Sequence, residues 1–159
     1  MSASFNDAAI NAVFDRVESW AKASGRFEDV NGHEPKNAPG NGLSCSVWVQ
    51  AIRPMPKGSG LAATTGVLVL NLRIYVSFTS QPFDAIDPNV LSATTDFMGA
   101  ISGDLDFDDI ANVRNVDLLG SSGTAMSAVA GYVEIDRRMF RVMTTTIPII
   151  VNDMFAQAS

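Results

Sequence analysis

Between Gly66 and Phe78 the chain reads GVLVLNLRIYVSF, and Leu68, Leu70, Leu72, Ile74, Val76 and Phe78 recur at every second position. A period of two is the mark of a β-strand, and a strand this long leaves a row of unpaired amides unless other strands flank it. The fold therefore has to be built around a sheet. The opposite face of the same ribbon carries Asn71, Arg73, Tyr75 and Ser77, so that half is expected to meet water or a partner.

Further elements group around this strand. Leu43 to Ile52 alternates Leu43, Cys45, Val47, Val49 and Ala51 against Ser44, Ser46, Trp48, Gln50 and Ile52, and Arg53-Pro54-Met55-Pro56 ends the run. Val113–Leu119, Ala128–Ile135 and Met139–Val151 read as an antiparallel meander interrupted by turn chemistry at Gly120–Gly123. Pro148 suggests that the last strand leaves the ladder or lies at an edge. Two helices are expected. Residues 4–23 space Phe5, Ile10, Val13, Phe14, Val17, Trp20 and Ala21 by three and four, with Ser4 as N-cap and Gly25 past the end. Asp87-Pro88 opens the second, an N-cap followed by proline, and Val90, Leu91, Thr94, Phe97, Met98 and Ile101 follow until Gly103. Gly25 to Gly42 is a long ordered loop, or a short strand at Phe27–Val30 followed by one. The order helix, strands, helix, strands points to an α+β class: a mainly antiparallel sheet of about five strands with both helices on one face, in a single domain over 1–159.

The charge is uneven. Seventeen acidic and eleven basic residues give a net charge of −6, which argues against a broad basic surface for nucleic acid. Eight aspartates between Asp84 and Asp117 are opposed only by Arg114, so that segment carries −7 and the remainder is close to neutral at +1. Cys45 is the one cysteine and cannot close an intramolecular disulfide, consistent with folding in a reducing cytoplasm. No signal peptide or membrane span is expected, since no basic residue precedes the first apolar positions and the longest aliphatic runs span about four residues.

Catalytic chemistry finds little to work with. His33 is the only histidine and sits beside Glu34 in a loop, so a multi-histidine metal site is excluded. It could orient a serine or Cys45 as nucleophile, although Cys45 shares a strand face with Val47 and Val49. Gly58-Ser-Gly60-Leu-Ala-Ala63 matches a relaxed dinucleotide fingerprint, but a strongly β-like run follows where a helix N-terminus is needed. Asp104, Asp106 and Asp108 imitate the first ligands of a calcium loop, yet Asp109 replaces the required glycine and Asn115 the terminal glutamate. No cofactor or metal is expected, and the chain reads as one that makes contacts rather than bonds.

Four strings carry a family likeness in order: SGRFEDVNGHEPKNAPGNG (24–42), VWVQAIRPMPKGSGLAATTGVLVLNLRIYV (47–76), DAIDPNV (84–90) and VRNVDLLGSSGTAMSAVAGYVEIDRRMFRVMTTTIPIIVND (113–153). With them the chain resembles, over nearly its whole length, the tail terminator proteins of long, non-contractile-tailed phages of actinobacteria. The resemblance implies a small α+β domain assembled as a homohexameric ring in the virion neck, put together in the host cytoplasm. Such rings cap the tail tube, stop its polymerisation and join the head connector, so the implied partners are the major tail tube protein and a connector or head-completion protein. The family supplies no catalytic residues to carry over.

Beside that resemblance, the residues themselves suggest contact surfaces. The loops Asn31–Gly42 and Pro54–Gly60 combine prolines, which limit the entropy lost on ordering, with His33, Glu34, Lys36, Arg53, Pro54, Pro56 and Lys57, and are the expected docking segments. Trp48 and Tyr75 are expected to offer flat contact area on the uncovered side of the sheet. In the ring that the resemblance implies, Asp104, Asp106, Asp108 and Asp109 are expected to line the lumen, through which genomic DNA would slide without specific binding. The competing readings are a neck or head-completion ring, and a small cytosolic hydrolase using His33.

Overall fold

The computed structural model describes residues 7–33, 42–54, 63–78, 86–104, 113–120 and 123–156. Its elements are α1 (Asp7–Ala23), β1 (Asp29–Asn31), β2 (Ser44–Pro54), β3 (Ala63–Ser77), α2 (Ile86–Gly99), a π-helical turn (Ala100–Asp104), β4 (Val113–Val116), β5 (Ser127–Ile135) and β6 (Arg138–Ala156). The class is α+β. One sheet runs β1-β2-β3-β6-β4, with β5 also paired to β6, so that β4 and β5 follow one another along the same side of β6. Every pairing is antiparallel except β1 with β2, which is parallel.

Both helices pack on one face of the sheet. α1 buries Val13, Val17 and Ala21, four residues apart, while α2 buries Ile86, Val90, Ala93 and Phe97. They meet the strand residues Cys45, Val47, Leu68, Leu70, Leu72, Ile74, Val76, Ile147, Ile149 and Val151 in one core. Trp20 of α1 and Phe97 of α2 touch with ring centroids 5.0 Å apart. Arg26, just past α1, donates to Ser92 Oγ at 3.2 Å and pairs with Asp96, binding the two helices to each other as well as to the sheet. α1 ends as its sequence directs: Ser24 N donates to Trp20 O, and Gly25 takes φ 70°, a left-handed conformation that costs glycine little. The expected cap Ser4 lies outside the described residues.

Four sequence expectations are corrected by the structure. The last three strands do not form a meander, because β4 and β5 both pair with β6 and not with each other. A bulge in β2 between Val49 and Ala51 turns Ala51 away from the helices and packs it with Val67, Val69 and Ile150, so the alternation does not continue unbroken to Ile52. Pro148 lies within β6, a strand flanked on both sides, rather than at an edge. Its carbonyl accepts from Asp117 N at 2.8 Å, so its nitrogen also turns to that side, where β4 has ended at Val116 and β5 has not begun until Ser127. The missing donor thus falls opposite the break between two strands. The strand expected over Val113–Leu119 stops at Val116 because Asp117 Oδ1 accepts from Gly120 N at 2.9 Å and bends the chain outward.

The helix-free face is not uniformly wet. Register places Ser44, Tyr75, Val142 and Gly131 in one transverse row, Ser46, Arg73, Thr144 and Val129 in the next, and Trp48, Asn71, Thr146 and Ser127 in a third. Tyr75 packs edge-on against Phe140 beside Val142, and this group is buried.

Candidate docking surfaces

The first surface gathers at the end of β2. Arg53 projects from the helix-free face and its Nη2 donates to Thr124 Oγ1 at 2.5 Å. β2 and β4 stand three strand spacings apart, about 14 Å at the usual separation, which exceeds the reach of one arginine. The described part of the excursion between β4 and β5 at Gly123 and Thr124 therefore reaches back over the helix-free face to meet Arg53, on the face where Val67, Val69 and Ile150 are buried with Ala51. Leu119, in that excursion, is 95% exposed, and Ile52 beside Arg53 is also exposed. Ile52 pairs with Leu68 and so projects on the helix-bearing face, opposite to Arg53, which leaves one exposed apolar side chain on each side of this end of the sheet. Pro54 is exposed at the last position of β2. Pro56 and Lys57 lie outside the described residues.

The second surface is the polar middle of the helix-free face. The Arg73 guanidinium lies 5.2 Å from the Trp48 ring centroid and 6.0 Å from that of Tyr75, and Arg73 Nε donates to Thr144 Oγ1 at 2.7 Å. Among the described residues no carboxylate pairs with it. Trp48 is half-buried and open enough for contact, whereas Tyr75 is 1% exposed and packs inward on Phe140, so it supplies core rather than contact area. Arg73 was visible in the sequence only as a polar position on β3. Its neighbours Trp48 and Thr144 come from strands distant in the chain, so no local pattern reveals the arrangement.

The third surface runs along β5. Phe78 and Tyr132 are exposed and meet edge-on with centroids 5.8 Å apart, and Met139 is exposed close by. The Arg141 guanidinium sits 4.6 Å from the Tyr132 ring centroid while its Nε donates to Asp87 Oδ1 at 3.0 Å. Asp87, Pro88, Val90, Leu91, Arg141 and Met143 line a mainly apolar cavity of about 370 Å³ between the start of α2 and β6. Asp87, expected as an N-cap, lies in the first turn of α2 and spends its carboxylate on Arg141. Sequence reading singled out none of Phe78, Tyr132, Met139 or Leu91 as site residues. Alternation sets Phe78 on the apolar core face, and its position past the end of β3 exposes it.

His33 is exposed two residues after β1, and Glu34 and Lys36 lie outside the described residues. Asp104 closes the π-helical turn, while Asp106, Asp108 and Asp109 lie outside the described residues. Cys45 is buried in the core beneath α1, and burial, with a smaller contribution from the negative charge of Glu18, pushes its thiol up to about 12. A thiol held so firmly protonated is a poor nucleophile at neutral pH. No described helix is long and apolar enough to cross a membrane. Neither the family models nor the curated proteins compared with this chain give a match.

Proposed function

We propose that this chain is a structural virion protein of the tail-terminator kind, forming a homohexameric ring that caps a tail tube, ends its polymerisation and offers the joining surface to the head connector. The observation that carries the reading is the ordered resemblance of four sequence strings across nearly the whole chain. The α+β class and the exposed apolar side chains at sheet ends and edge are compatible with it, because large apolar residues left outside a small domain mark surfaces meant to be covered. Ile52 and Arg53 at the end of β2 are then contact residues on its two faces, with the Pro54–Gly60 loop beside them in sequence.

Deleting residues 55–59 in the phage that carries the chain tests the reading. The expected result is a folded domain and particles with overlong or headless tails, seen by negative-stain microscopy. Tails of normal length joined to heads would overturn it, as would a purified ring that never associates with tail tubes. The charge imbalance belongs to the same proposal: a lumen lined by Asp104, Asp106, Asp108 and Asp109 lets DNA pass, because cationic phosphate contacts are what make proteins hold DNA without sequence preference.

A further inference from the structure

The hairpin joining β5 to β6 has a two-residue turn, Asp136 and Arg137, both left-handed at φ 52° and 64°. That is the type I′ geometry, in which the flanking residues Ile135 and Arg138 exchange backbone hydrogen bonds. Odd-numbered residues of β5 therefore turn their amides toward β6. Ala128, Ala130, Tyr132 and Glu134 turn theirs outward, and among the described residues no strand pairs with them.

The strand's own sequence and register carry none of the usual protections of an edge. β5 reads SAVAGYVEI, with no proline, no basic residue and an unbroken register against β6. The outer edge of β2, by contrast, is partly covered by β1 and carries a bulge and Pro54. Along β5, Val129 is 66% and Tyr132 57% exposed.

We propose that β5 is a self-association edge: two copies of the free chain pair their β5 strands antiparallel about a two-fold axis through Gly131, and the dimer so formed is closed. Gly131 is the middle residue of β5, so only this register overlaps the whole strand. It sets Tyr132 across from Ala130, Val129 across from Val133 and Glu134 across from Ala128, a large side chain meeting a smaller or equal one each time and no like charges opposed. The outward-turned pairs 128/134 and 130/132 become the hydrogen-bonded ones, and the two Gly131 residues meet at the close, non-bonded position. Within one copy Ala130 is paired with Met143, which lines the cavity beside Leu91 and Pro88. The small Ala130 leaves that cavity open toward the edge, and Tyr132 of the second copy lies next in the same row, on the same face, with its ring at the cavity mouth. An unrelated extended peptide would satisfy the amides but not this alternation of sizes, which is why the occupant is a second copy.

The inference goes beyond the ring reading, because it concerns the free chain and uses only the outer edge of β5. Sedimentation of the purified protein over a concentration series up to about millimolar tests it. The expected result is a reversible dimer that Ala130→Pro weakens about tenfold or more, since proline there removes an outward donor and no bond to β6. Tyr132→Lys should weaken it similarly, and provides the measurement if Ala130→Pro disturbs folding, as judged by circular dichroism. Gly131→Cys supplies an independent reading: a Cβ there lies 3.8 Å from Val142 Cγ2, an ordinary contact, so two thiols fit across the axis and should oxidise to a covalent dimer faster than cysteines placed at Ser127. A monomer throughout the series, an association indifferent to Ala130→Pro and Tyr132→Lys, or no preferential cross-linking at Gly131→Cys would overturn the proposal. A hexamer untouched by these variants would overturn it while leaving the ring reading intact, and a β5 dimer in a protein that never meets tails would do the reverse.

Discussion

Cys45 shows how far one residue's chemistry is set by its surroundings. Its folded pKa of about 12 stands above the ordinary thiol value of 9.0, so the fold favours the neutral form. The stability that this contributes is fully present below pH 9 and is lost as pH rises toward 12, up to about 4 kcal/mol for three pKa units. Chemical denaturation between pH 8 and 11 should show that loss, and Cys45→Ala should flatten it while lowering the neutral plateau through the small cavity it leaves. A thiol reagent at pH 8 should leave the native protein untouched and label it only on unfolding. Asp117 is a second case: buried, and accepting from Gly120 N, it holds the turn that ends β4. Asp117→Ala should cost about 1–3 kcal/mol, read as a shift in the denaturant midpoint.

Among the elements, the stretch from β4 to β5 depends most on distant partners. β6 and β3 continue past Pro148, but on the other side of β6 the ladder is broken between β4 and β5, and the chain there turns over the sheet to meet Arg53. Thr124→Val removes that acceptor, and the expected outcome is a stability loss of about 1 kcal/mol with faster amide exchange at residues 118–120 and 123–126, while β3 and the rest of β6 keep their protection. This is also where the sequence was least legible. Turn chemistry at Gly120–Gly123 was evident from composition, and Gly120 and Gly123 do take positive φ of 91° and 102°. That Thr124 meets Arg53 of β2 was not, because an excursion's direction follows from the strand on which its anchoring partner lies.

For the whole molecule, the two helices and the sheet form one cooperative body through Phe97, which is fully buried and touches Trp20. Phe97→Ala should destabilise by about 3–5 kcal/mol, with both helices and the sheet lost in a single transition by circular dichroism and tryptophan fluorescence. The charge distribution also acts at this scale. Replacing Asp104, Asp106, Asp108 and Asp109 with lysine raises the net charge from −6 by eight, to +2. On the ring reading, such a variant should retard DNA in a gel-shift at low salt and hinder genome ejection, and normal infectivity would count against a DNA-facing role for these residues.

What the sequence determined by itself were the local periods. Alternation over Gly66–Phe78 and spacing by three and four before Gly25 located β3 and α1 to within a few residues, because side-chain direction along a strand or helix depends on the backbone alone. Both helices were expected on one face, and both are there. Only the tertiary structure decided that Tyr75 faces Phe140 rather than a partner, that Ala51 changes side at a bulge, that Pro148 lies inside the sheet, and that among the described strands β5 pairs on one side alone. Each of these depends on which strands become neighbours. Adjacency in a sheet is fixed by pairing between residues far apart in the chain, and a local pattern carries no record of it.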